Sequence, residues 1–148
     1  MNIKKINHLN IAKNKINFAS SNNNNEKLDY SKWVEYVMQH SDYFIWREDT
    51  EDGKQTLAEI DKVPENFRER VLEGLNKCCC YAEFNNKKGY YVVSVGFLSE
   101  YNRIAINFER PLIVNDLKRY LDMSNYLDAL LLNHGDEIID EKIIESLE

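Results

Sequence analysis

The chain has 148 residues, 43% hydrophobic and 11% aromatic, with 5 Gly, 2 Pro and a net charge of −6. This suits one domain with its own core and excludes a fibrous or Pro/Gly-rich disordered chain. Lys4, Lys5, Lys13, Lys15 and Lys27 oppose Glu26 alone in residues 1–27, so the remaining body is distinctly acidic. It would repel phosphates, which argues against nucleic acid as ligand and suits a basic protein partner.

Nine of the first 25 residues are Asn, ending in SSNNNN (Ser20 to Asn25). Residues 1–27 are expected to be a linker or loop, with the α+β domain running over 28–148. Within them, INHLNIAKNKINF alternates imperfectly, as an edge strand or short helix would. No apolar run follows Lys4 and Lys5, and no stretch is long and apolar enough for a membrane. A cytoplasmic protein is expected.

LDYSKWVEYVMQH (Leu28 to His40) places Tyr30, Trp33, Val34, Val37 and Met38 at helical spacing, with Asp29 as cap. DYFIWREDTEDGKQTLAEID (Asp42 to Asp61) reads as a hairpin with Asp52-Gly53 at its turn. A helix opening at Pro64 carries Phe67, Val71, Leu72 and Leu75 as its apolar stripe.

Residues 79–109 alternate apolar and polar through two turns, NNKKG and SEYN, and predict a three-stranded antiparallel meander. Cys80, Ala82 and Phe84, then Tyr91, Val93, Val95 and Phe97, then Ile104, Ile106 and Phe108 are its expected core face. Its edges are compatible with a strand-paired homodimer. A helix capped at Asn115 follows, with Leu117, Tyr120, Leu121 and Ser124 in register. LDALLL (Leu127 to Leu132) is a strand candidate, and IIDEKIIESL a short helix capped by Asp140. The expected architecture is α+β: an antiparallel sheet of about five or six strands, within the usual range, with helices mainly on one face.

Little in the chain resembles catalytic chemistry. Cys78, Cys79 and Cys80 are adjacent, so the middle thiol points away from the outer two. His8, His40 and His134 lack paired zinc spacing. Neither a metal nor a cofactor is expected, and Cys80 is read as a small hydrophobe on a strand. The absence of disulfide spacing fits a reducing compartment. There is no phosphate loop, nucleophile elbow or basic-aromatic stripe, so the chain is read as a non-enzyme. Two acidic clusters are the candidate partner-binding residues: Glu48, Asp49, Glu51 and Asp52, and then Asp136, Glu137 and Glu141. Tyr101, an exposed aromatic at a turn, joins them.

The stretch YYVVSVGFLSEYNRIAINFERPLIVNDLKRYLDMSNYLDALLLNHGDEIIDEKIIESLE, from Tyr90 to Glu148, resembles small cytoplasmic immunity proteins of bacterial polymorphic-toxin and contact-dependent growth inhibition systems. The resemblance implies an acidic, single-domain α+β protein that neutralises a cognate toxin by binding it; residues 1–27 lie outside it. The expected function is stoichiometric occlusion of a basic toxin, such as a nuclease, by acidic side chains that stand in for phosphate. Two alternatives are an adaptor or chaperone subunit binding through an apolar patch, and a thiol enzyme using Cys78 or Cys79 beside a His.

Overall fold

The structure is a computed structural model that describes residues 2–18 and 26–148. The SSNNNN stretch read as a linker lies outside the described residues. The described residues form seven strands: β1 Leu9–Ala12, β2 Ile45–Trp46, β3 Cys79–Asn85, β4 Tyr90–Leu98, β5 Arg103–Phe108, β6 Leu130–Asn133 and β7 Glu137–Ile138. The same residues form five α-helices: α1 Tyr30–Gln39, α2 Glu51–Ala58, α3 Glu65–Gly74, α4 Val114–Tyr126 and α5 Glu141–Leu147. The strands make one antiparallel sheet in the order β2-β3-β4-β5-β1-β6-β7. The α+β expectation holds, with seven strands rather than five or six.

One core lies between one sheet face and three helices. Trp33 and Tyr36 of α1, Tyr120 and Met123 of α4 and Ile144 of α5 close over Cys80, Val93, Val95 and Ile104. The caps follow the sequence. Asp29 accepts from the Lys32 N–H at 3.1 Å, and Asp140 from Ile143 at 3.0 Å. Asn115 is not the cap of α4. Ile113 holds that position, and the Asp116 carboxylate reaches back to its N–H at 2.9 Å.

The largest departure from the sequence reading is β1. Leu9–Ala12 pairs with β5 on one side and β6 on the other, in the middle of the sheet and not at an edge. The folded unit therefore takes in residues before 28. All four β1 residues are buried. Leu9 and Ile11 enter the main core, while Ala12 packs with Ile16 and Leu132 in a smaller cluster. A short strand buried on both faces shows too little alternation to be read from sequence. Asn10 breaks the pattern further, yet it is 1% exposed and its amide lies 3.5 Å from His8 Nε2.

After β1 the chain folds back along β6 and β7. The Ile16 N–H donates to the Gly135 carbonyl at 2.6 Å. Gly135, at φ 80°, sits so close beneath Ile16 and Phe18 that a Cβ there would collide with both. His8 lies among the Phe18 ring at 5.3 Å, the His134 ring at 5.8 Å and Asn10. Burial, then the charges of His134 and Arg103, lower the His8 pKa from 6.5. The unfolded chain then takes up a proton that the folded chain resists. Stability is therefore full above pH 6.5 and falls as the pH drops through the window below it. His8→Gln should flatten that slope in urea midpoints taken from pH 7.5 to 5; an unchanged slope would count against this assignment.

The Asp42–Asp61 hairpin is not formed. Only Ile45–Trp46 is extended, and the Asp52-Gly53 pair lies inside the first turn of α2. Thr50 caps this helix: its hydroxyl accepts from the Gly53 N–H at 3.0 Å, with Glu51 and Asp52 in the favourable first turn. Gly53 is needed for close approach, because a Cβ would overlap the Arg47 carbonyl.

In the meander, Cys80, Ala82, Val93, Val95, Phe97, Ile104 and Ile106 face the core as expected. Phe84, which is 50% exposed, and Tyr91 do not join them. Glu83 takes φ 59° and interrupts the ladder between Ala82↔Val93 and Phe84↔Tyr91. Beyond it Tyr91 stacks on Tyr81, at 5.5 Å, and meets Phe84 at 4.9 Å. Tyr81 alternates with buried Cys80 and Ala82, so this aromatic group lies off the core face.

Candidate functional site

Adjacent antiparallel strands are commonly joined by about two to five residues. β2 and β3 are adjacent, yet residues 47–78 separate them. This excursion holds α2 and α3, and the core scarcely involves it. α2 buries only Gly53, and α3 buries no residue at all. The Phe67/Val71/Leu72/Leu75 apolar stripe is mostly surface: Phe67 is 53% and Leu72 43% exposed, and only Leu75 is buried. Leu57 of α2 is exposed too.

The excursion is anchored at its base. The Glu48 carboxylate accepts from the Lys77 N–H at 2.7 Å, and the Tyr30 hydroxyl donates to the Lys77 carbonyl at 2.8 Å. Arg68 braces the α2–α3 connection, donating to the carbonyls of Val63 and Asp61 at 2.9 Å each. Between the helices lies a cleft of about 300 Å³, lined by Arg47, Thr56, Phe67, Arg70, Val71, Gly74 and Leu75. A ten-residue helix has marginal stability alone in water. An anchored helix with an outward apolar stripe is therefore suited to complete its packing against another molecule.

The sequence-derived candidates scatter. Glu48, Asp49, Glu51 and Asp52 all fall on the excursion. Glu48 is used internally, whereas Asp49, Glu51 and Asp52 are exposed. Asp136, Glu137 and Glu141 belong to the β7 end, where Glu137 accepts from Asn133 at 3.0 Å. β2 and β7 are the two edges of the sheet, so six strand spacings, roughly 30 Å, separate the clusters. Tyr101 lies in the β4–β5 turn, where its ring covers the Arg103 guanidinium at 5.0 Å. One compact contact cannot use all eight residues.

A second constellation, with no sequence signature, surrounds Arg110. Its Nε and Nη2 donate to Glu83 at 3.0 and 2.6 Å; Nη1 and Nη2 donate to Asp116 at 2.8 and 2.9 Å; Nη1 also reaches the Pro111 carbonyl at 3.0 Å. Tyr43 donates to Glu83 at 2.6 Å, and Arg119 lies 3.5 Å over the Tyr43 ring. All five guanidinium donors are thereby used, which makes Arg110 a structural clamp from β5 to β3 and α4. It holds Glu83 in its left-handed conformation. The Arg110 hydrogen bonds, opposed by burial and helped by Tyr43, lower the Glu83 pKa from 4.5. Arg110→Ala leaves the nearly buried Asp116 carboxylate without its cation and should cost about 2–4 kcal/mol in urea unfolding. Glu83 lends stability above pH 4.5 that is lost as pH falls through its lowered pKa, and the variant should lose that acid dependence. A cost below about 0.5 kcal/mol, the size of an ordinary surface change, would show the clamp to be ornamental.

The cysteines line the start of β3. Cys80 is fully buried, and Cys78 and Cys79 are half-buried. Burial raises all three thiol pKa values, with Cys79 pushed up to about 11 despite the opposing charge of Arg47. A nucleophilic cysteine requires the opposite shift. Iodoacetamide at pH 7.4 should modify Cys78 and Cys79 more slowly than a free thiol and Cys80 only after unfolding; rapid single-site labelling would reverse this reading. Among the described residues, no group of three or more His, Cys, Asp or Glu is arranged to hold a metal ion, and no helix is long and apolar enough to cross a membrane.

Compared with known proteins, the chain matches no family model, no curated protein and no solved structure.

Proposed function

We propose that the protein is an immunity protein that neutralises a cognate bacterial toxin by stoichiometric binding in the cytoplasm, and that it docks through the β2–β3 excursion. The observation that carries the docking surface is α3, a helix with an apolar stripe that buries no residue. Leu57, Phe67 and Leu72 supply apolar contact, and the exposed Asp49, Glu51 and Asp52 supply negative charge on the same excursion. An excursion that carries both acid and exposed apolar surface suits a basic partner such as a nuclease: the charges speed encounter and the apolar residues slow release. The resemblance of residues 90–148 to immunity proteins supplies the biological class. The exposed leucines and Phe67 also favour a second reading, an adaptor or chaperone subunit that binds through apolar contact alone.

Salt separates the two. The tagged protein is used to capture partners from native cell lysate at 50 mM and 500 mM salt. The immunity reading expects one stoichiometric basic protein whose capture weakens strongly at high salt. An acidic or neutral partner held equally at both would favour the adaptor, and no stoichiometric partner would overturn both.

A further inference from the structure

The cleft between α2 and α3 has the opposite charge from the rest of the excursion's contact surface. Arg47 and Arg70 line it, and among the described residues neither guanidinium makes an ion pair or hydrogen bond. Phe67, Val71 and Leu75 form apolar lining between them. Gly74 leaves room: a Cβ there would meet nothing within 4 Å. At about 300 Å³ the cleft is at the small end for ligand pockets and suits a single large side chain. Interface anchors are commonly Trp, Tyr or Arg seated in such pockets. Two unpaired guanidiniums would repel an arginine, and they match a carboxylate in geometry and charge.

Resting on the reading of the excursion as the docking surface, we propose that this cleft receives a bulky apolar side chain of the partner together with an adjacent Asp or Glu. The partner's contact surface is then mixed: basic where it meets Asp49, Glu51 and Asp52, with one acidic-apolar anchor segment. Opposite charges side by side fix the orientation of the complex and reject a uniformly basic surface, which acidic residues alone would not do.

Gly74 provides a test that adds a side chain without removing any packing. A phage-displayed random 12-residue peptide library is selected on the full chain. The expected yield is a motif of Trp, Tyr, Phe or Leu beside Asp or Glu. A synthetic peptide carrying it should bind at least tenfold more weakly to Gly74→Phe and to Arg47→Glu/Arg70→Glu, with their urea midpoints kept near that of the parent chain. No enriched peptide, a basic motif, or undiminished binding to Gly74→Phe would overturn the proposal. Leu57→Asp/Leu72→Asp alters residues outside the cleft lining and reports on the docking surface by itself. If that variant loses the captured partner while the peptide selection fails, only the anchor chemistry is wrong. If neither effect is seen, the docking surface is wrong as well.

Discussion

A chain beginning at residue 28 should not fold. Ile6, Leu9 and Ile11 are each at most 1% exposed. Full burial of such side chains contributes roughly 1.5–3 kcal/mol apiece, so the three together amount to about 5–9 kcal/mol. That is comparable with the roughly 5–15 kcal/mol of a whole domain. The topology enlarges the loss. Without β1, the sheet divides into β2-β3-β4-β5 and β6-β7, and two interior strands become open edges. The truncated protein should lose its near-ultraviolet circular dichroism and its cooperative urea transition. Adding a synthetic peptide of residues 2–18 should restore part of both. A sharp transition at the parent midpoint would show that residues 1–27 are dispensable.

The parts of the fold legible in the sequence are those where one face is buried and the other wet. The 79–109 meander, α1 with Asp29, and α5 with Asp140 all announce themselves through period and cap. β1 does not, because burial on both faces removes alternation and because Asn10 is a polar residue inside. The supposed hairpin shows a different ambiguity. Asp-Gly suits a tight turn and also suits the first turn of a helix whose glycine must pass under a carbonyl. Only the Arg47 backbone, brought close by the 3₁₀ turn Arg47–Asp49, decides between them.

The candidate site was half legible. Charge runs marked Glu48 to Asp52 without showing that α2 begins there, and marked Asp136 to Glu141 without showing that they lie at the far edge. Phe67 and Leu72 show in the sequence as an apolar stripe, and helical spacing does not say whether the core or a partner covers it. The length between Trp46 and Cys79 becomes a signal only once β2 is seen to pair with β3: two paired strands separated by so long a connection indicate an excursion with a purpose of its own. The Arg110 clamp brings together Glu83, Arg110 and Asp116 from three elements, and nothing local in the sequence couples them.

Leu57→Asp/Leu72→Asp should weaken binding of the captured partner by at least about 30-fold, equivalent to roughly 2 kcal/mol. Both residues are exposed, at 38% and 43%, so the folded state should change by no more than about 0.5 kcal/mol. The loss would then belong to the interface and not to the fold. Asp136→Lys/Glu137→Lys reverses charge at the opposite sheet edge, roughly 30 Å away. The decisive measurement is the dissociation constant of the purified partner for these two double variants and the parent chain, by calorimetry at 150 mM salt. The excursion as docking surface requires the large loss in Leu57→Asp/Leu72→Asp and near-parent affinity in Asp136→Lys/Glu137→Lys. Parent-like affinity in the first and a large loss in the second would place the partner on the β7 edge and contradict the account.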